Sequence, residues 1–264
     1  GMNVVPCSSL PGKFGEKLTA GVSAAVRILA SQGFDIVHQH SIAAGAFNWL
    51  AGLPKASVLQ MHGIEWHRTK WGPVARVAVR TLERFAIAQY RHWTAVSLIQ
   101  CRILRKRYGI SPVYIPTATG VRPLAPCDLI RSEYGLERGG FLLFAGRLVP
   151  EKGVHFLIDA FRATRTDLRL IIAGDAPTEP AYVRSLKVRA LGDPRIMFLG
   201  MVSGRKLEEL FSNCYLYVQP SIVEGLSIAL LEAMSYGNCC LVSDIDENRE
   251  AIDDAGVVFK SQDP

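Results

Sequence analysis

The chain has 264 residues, 49% of them hydrophobic and 20% charged, the composition of a folded globular protein with room for two ordinary domains. Its longest apolar stretches are of strand length or are cut by charge, as Glu232 cuts the run from Leu226 to Met234, which excludes a membrane-spanning helix. The formal charge of +6 hides an asymmetry: residues 1–125 carry 15 Lys+Arg against 4 Asp+Glu, a net of +11, and residues 126–264 carry 15 against 20, a net of −5, so the first half calls for an anionic partner.

In chain order, VVPC (4–7) reads as a short strand, and residues 16–31 as a helix. DIVHQH (35–40) is a strand that puts His38 and His40 on one face, followed by a helix near 43–50 and the strand SVLQMHG (57–63). A long amphipathic helix covers about 73–91. WTAVS (93–97), a basic helix to Tyr108 and VYIP (113–116) complete the first half. The segment VRPLAPCD, with two prolines and no periodicity, marks a boundary, giving domains 1–125 and 126–264. The first domain has no opening strand with a phosphate-binding turn, so it reads as incomplete.

From Phe141 the alternation is regular. FLLFAG, LRLIIAG, RIMFLG, CYLYVQP, CCLVSD and GVVF are apolar runs separated by helical patterns at VHFLIDAFRA, AYVRSLKVRALG, SGRKLEELFSN, SIALLEAMSYG and ENREAI. Strands alternating with helices predict a parallel sheet covered on both faces, hence an α/β chain of two Rossmann-like domains. Such sheets bind ligands beyond the carboxyl ends of their strands, so the residues just after each run are the candidates. The six cysteines form no C-x-x-C pair and read as reduced thiols of a cytosolic protein.

The sharpest feature is EGLSIALLE. Glu224 sits in a loop after a strand, and Glu232 lies eight residues on, about 12 Å along the helix. Among Ile228, Leu230, Leu231 and Met234, a carboxylate is costly to bury without donors. Ribose hydroxyls would supply them; an ion pair or simple exposure is the alternative.

AGRLVPEKGV, IIAGD, FLG and PSIVEGLSIALLEAMSYG, in this order and spacing, resemble the donor domain of retaining family 4 glycosyltransferases of the GT-B fold. HGIEWHRTKWG is similar to a bacterial subgroup that makes cell-surface polysaccharides. The resemblance implies transfer of a sugar, with retention, from a UDP-, GDP- or dTDP-linked donor to a saccharide or lipid-linked acceptor. It gives Arg147 and Lys152 the donor diphosphate, Glu232 the ribose and Glu224 the donor sugar near its reacting end. Two cations at a helix start suit a diphosphate on physical grounds as well. Gly146, Gly174, Asp175, Met201, Val202, Gly225, Leu226 and Ser227 would line the donor pocket, and His62 would stand on the sugar and phosphate side of the cleft. Ser227 departs from the second glycine of many relatives.

No cofactor and no metal are expected. His38 and His40 have no carboxylate or cysteine at ligand spacing. Neither G-x-G-x-x-G after a strand nor G-x-x-x-x-G-K-[ST] occurs, which disfavours a dehydrogenase and a P-loop ATPase. A nucleic-acid partner is disfavoured by the lack of any recognisable module. The expected location is cytoplasmic, at the inner face of the membrane, with TAVSLIQCRILRKRYG resting on anionic lipid. The competing reading is a fragment that binds nucleotide sugar without catalysing transfer.

Overall fold

A computed structural model describes residues 4–10, 15–31, 34–40, 42–52, 57–64, 66 and 72–262. The chain divides into two units, Gly1–Pro116 and Thr117–Pro264.

The first unit carries strands β1 (Val37–Gln39), β2 (Ser57–Met61), β3 (His92–Ala95) and β4 (Val113–Tyr114), all parallel and paired in the order β1-β2-β3-β4. Its helices are α1 (Gly15–Ser31), the short α2 (Ile42–Gly45) and α3 (Asn48–Ala51), α4 (Pro73–Ala88) and α5 (Leu98–Tyr108). Leu59 and Met61 of β2 pack with Ile87 and Tyr90 from the end of α4 and its exit, and with Cys101 and Leu104 of α5. Helix α5 is delimited by its own sequence: the Ser97 side chain accepts from Gln100 N (3.2 Å), and Gly109 ends it at φ 68°, which costs glycine little. The expected strand at 4–7 is a correction. Residues 4–10 form no strand or helix, are exposed and pair with no strand among the described residues, and Pro6 has no N–H to give a ladder. The expected helix at 43–50 is two single turns separated at Ala46–Phe47.

The second unit holds β5 (Phe141–Ala145), β6 (Arg169–Ala173), β7 (Ile196–Gly200), β8 (Leu216–Gln219), β9 (Cys240–Ser243) and β10 (Val257–Phe259), again parallel, in the order β10-β9-β8-β5-β6-β7. The interleaved helices are α6 (Leu129–Tyr134), α7 (Val154–Ala163), α8 (Pro180–Ala190), α9 (Arg205–Asn213), α10 (Ile228–Ser235) and α11 (Asp246–Ile252). The period-2 pleat splits the core in two. Phe141, Leu143 and Ala145 face α6, α9, α10 and α11, while Phe144 faces α7 and α8. In α7 the buried Val154, Leu157, Ile158 and Phe161 follow the i, i+3, i+4, i+7 stripe that the sequence pattern requires.

The two units divide at 116/117, nine residues before the expected boundary at 125/126. Residues 117–125 are held by the second unit: Arg122 N bonds Ser235 O at 3.3 Å, Ala125 N bonds Ser212 Oγ at 2.9 Å, and Asn213 Nδ2 bonds Ala125 O at 3.1 Å.

Strand order fixes where a ligand can sit. In the six-stranded sheet the chain runs one way from β5 through β6 to β7, then crosses to β8, so the winding reverses between the neighbours β5 and β8. Beyond the carboxyl ends of those two strands the loops diverge and leave a crevice. The four-stranded sheet has no such reversal among the described residues.

Candidate donor site at the strand reversal

The loop after β5 carries Gly146, Arg147 and, after a 3-10 turn at Pro150–Lys152, Gly153. The loop after β8 carries Ser221, Glu224, Gly225, Leu226 and Ser227. These loops are bonded to each other. Ile222 N donates to Glu151 O at 2.8 Å, and Lys152 Nζ lies 2.5 Å from Glu224 Oε1, with the two side chains 16% and 9% exposed. The two side chains, both largely withdrawn from solvent, are of opposite sign and compensate one another across the two loops.

Glu224 Oε1 is saturated. Besides Lys152 it accepts from Gln219 Nε2 at 2.7 Å and from Ser221 Oγ at 2.6 Å. Gln219 Oε1 accepts from Tyr217 OH at 2.7 Å, and burial, followed by the nearby Glu224 charge, holds the Tyr217 phenol well above its ordinary range, so it stays a donor. Of this cluster the sequence analysis names Glu224 and Lys152, and not Tyr217, Gln219 or Ser221. The available signal was a glutamine ending an otherwise apolar strand.

Arg147 is exposed, and its guanidinium makes no hydrogen bond or ion pair among the described residues. Glu232, in α10, is half-buried, and its carboxylate likewise has no protein partner among the described residues. Ser227 is buried and caps α10, its Oγ accepting from Leu230 N at 3.4 Å. Gly146, Gly174 and Gly200 end β5, β6 and β7 side by side: Gly174 N donates to Gly200 O at 2.7 Å, and a β-carbon on Gly174 would meet Gly146 O at 1.8 Å. Asp175 Oδ1 accepts from Ala176 N at 2.7 Å. Of the residues after β7, Met201 is 73% exposed, whereas Val202 packs on the core.

In the first unit, His62 follows β2 and His40 follows β1. His40 Nδ1 lies 3.0 Å from His62 Nε2, and the His38 and His40 rings are 4.2 Å apart. Partial burial, then the neighbouring imidazoles, push His40 below its ordinary pKa, and burial followed by His38 does the same to His62. The Gln100 amide brackets His62, its nitrogen donating to Met61 O (2.9 Å) and its oxygen accepting from Gly63 N (3.2 Å). No group of three or more His, Cys, Asp or Glu residues that could hold a metal ion occurs among the described residues.

Residues 3–119 match the model of Glycosyltransferase Family 4, and residues 140–264 match that of Glycosyl transferases group 1. The chain is built of glycosyltransferase domains. It is 30% identical over 166 residues to the O-antigen chain mannosyltransferase B of Escherichia coli, covering 61% of this chain and 42% of that protein. It is 28% identical over 243 residues to the Escherichia coli UDP-Gal:alpha-D-GlcNAc-diphosphoundecaprenol alpha-1,3-galactosyltransferase, covering 84% and 61%. Among solved structures, the Anabaena protein Alr3699/HepE in complex with UDP and glucose superimposes with a TM-score of 0.78 at 19% identity, over 97% of this chain and 72% of that one. The fold is thus the GT-B type of α/β protein with parallel sheets. The chain spans about half the length of the curated relatives it matches.

Proposed function

We propose that these glycosyltransferase domains move a sugar from a nucleotide-diphosphate sugar to an acceptor hydroxyl with retention, in the synthesis of a cell-surface polysaccharide or glycolipid. The observation that carries the reading is Glu232: a half-buried carboxylate without a protein partner among the described residues, in the helix that follows the strand reversal. Two ribose hydroxyls would supply the missing donors. Arg147 and Lys152 lie on the loop after β5, where the diphosphate would sit, and their charge would stabilise the leaving group as its bond to the sugar breaks. Fixed cations do the work of a metal here, so transfer is expected to survive EDTA. Relatives that use a mannosyl or a UDP-galactosyl donor support the substrate class.

Isothermal titration with UDP, GDP and dTDP, repeated on Glu232→Ala, tests the donor site. One nucleotide is expected to bind saturably, and the variant to lose at least about tenfold in affinity, the worth of a hydrogen-bonded charge. A folded chain that binds none of the three, or an Ala variant that binds as the parent does, overturns the reading.

The acceptor is proposed to be lipid-linked, met at an anionic membrane surface. No helix of the described residues is long and apolar enough to cross a membrane. Helix α4, however, turns an apolar stripe outward: Val74 is 84% exposed, Val77 62% and Phe85 51%, at i, i+3 and i+11, with Arg84 exposed on its flank. Helix α5 buries Cys101 and Leu104 and exposes Arg102, Arg105 and Lys106. The lipid contact expected of α5 alone is therefore proposed to be shared, with α4 supplying insertion and α5 charge. Co-sedimentation with anionic vesicles that weakens in Val77→Glu supports this; equal binding to neutral vesicles counts against it.

A further inference from the structure

We infer that Gln219, oriented by Tyr217, is the residue that aims Glu224 at the donor: its amide and the Ser221 hydroxyl lock one carboxylate oxygen and leave the other for a sugar hydroxyl. The inference rests on the donor-site reading above and concerns residues that it does not assign.

The side-chain valences close. Gln219 is fully buried at the last position of β8, where an apolar residue would serve packing better. Its carbonyl oxygen takes the Tyr217 phenol proton at 2.7 Å, which orients the amide. Both N–H groups of the amide are then spent, one on Ser221 Oγ at 2.7 Å and one on Glu224 Oε1 at 2.7 Å. Ser221 passes its own proton to the same Oε1 at 2.6 Å, and Lys152 adds the third donor at 2.5 Å. Ser221 is itself held, its carbonyl accepting from Ser243 Oγ, to which Asn248 Nδ2 donates at 2.9 Å. Oε1 is thus full, while Oε2 makes no hydrogen bond among the described residues. A carboxylate with three donors on one oxygen has no rotational freedom left. Oε2 is thereby held in one place with both its lone pairs open, as a group that must discriminate a hydroxyl position requires.

The arrangement separates two affinities. The nucleoside diphosphate is held by other residues, whereas the sugar alone depends on Glu224 being aimed. Gln219→Leu removes both amide donors at similar volume. Gln219→Glu keeps the shape and sets a second carboxyl against Glu224, so it can donate only while protonated.

The experiment is titration of the protein and both variants with UDP, GDP, UDP-glucose, UDP-galactose and GDP-mannose, at pH 5.5 and pH 8. With whichever nucleotide and sugar pair the parent binds, Gln219→Leu is expected to lose about tenfold for the nucleotide sugar, the equivalent of one hydrogen bond to a charged group, and less than twofold for the free nucleotide. Gln219→Glu is expected to bind nucleotide sugar better at pH 5.5 than at pH 8, with the parent much less pH-dependent. Equal losses for nucleotide and nucleotide sugar would mean a packing role and overturn the inference, as would unchanged affinities. If Gln219→Leu does not fold, the pH dependence of the isosteric Gln219→Glu decides alone. A parent that binds no member of the panel removes the donor-site reading, and this inference with it. A parent that binds nucleotides and an indifferent Gln219 variant remove the inference only.

Discussion

Gly153 and Pro220 touch backbone to backbone: a β-carbon on Gly153 would stand 1.9 Å from the Pro220 carbonyl oxygen, at φ 66°. That approach lets the turn carrying Lys152 lie against the end of β8, where the loop that carries Glu224 begins. Gly153→Ala is expected to cost about 1–2 kcal/mol for the left-handed conformation alone, and more because the loop must move. Gly192→Ala is the comparison, since Gly192 also has positive φ (83°) but nothing within 4 Å of the added carbon. Denaturant midpoints should fall further for Gly153→Ala than for Gly192→Ala, and only the former should weaken nucleotide-sugar binding. Equal falls would show that the contact with Pro220 carries no energy.

The elements around this contact were legible from periodicity, and the chemistry only in part. Each strand from Phe141 to Phe259 reads as an apolar run because a sheet covered on both faces has no polar face to advertise. Glu232 stood out because a carboxylate in an apolar helix breaks a rule, and Glu224 because it lies in the strand-end loop eight residues before it. Gln219 breaks the same rule more quietly, and its bonds to Tyr217, Ser221 and Glu224 span a strand end and a loop, where no period exists to announce them. The division at 116/117 was hidden for another reason. Two prolines mark residues 122–128 as irregular, but that segment is captured by Ser212, Asn213 and Ser235, contacts nearly ninety or more residues away that local sequence does not report. Residues 4–7 show the converse: a strand-like string is not a strand without a neighbour to pair with.

Arg147 offers the cleanest separation of function from folding. Its side chain is exposed and unbonded among the described residues, so Arg147→Ala should leave stability within about 0.5 kcal/mol, as surface changes generally do. Sugar transfer, followed by release of the nucleoside diphosphate, should fall by about 100-fold or more, the cost of losing one donor to a developing anion. A variant that turns over normally would remove Arg147 from the mechanism. One that unfolds would show a structural contact instead.

The histidine pair makes stability pH-dependent in a defined direction. Both His40 and His62 are held below their ordinary 6.5, so the unfolded chain binds protons first as pH falls. Their contribution is complete above about pH 6.5 and is lost progressively below it, toward the lower folded values. Denaturant midpoints at pH 7.5, 6.5 and 5.5 should therefore decline, and the decline should be shallower in His40→Gln and His62→Gln. An identical slope in parent and variants would assign the acid sensitivity to other groups.

Ser227 tests whether its departure from the relatives' glycine is structural. As the N-cap of α10 it satisfies one of the free N–H groups at the start of the helix that carries Glu232, and it is buried there. Ser227→Ala should cost about 1 kcal/mol and Ser227→Gly only a few tenths, because glycine leaves the helix start open to other partners. If the cap matters only for the helix, nucleotide affinity should be unchanged in Ser227→Gly, since the backbone N–H groups that face the crevice remain. A large loss of affinity with stability intact would instead place the serine hydroxyl on the donor, and Ser227→Thr, which keeps a hydroxyl, should then restore binding where alanine does not.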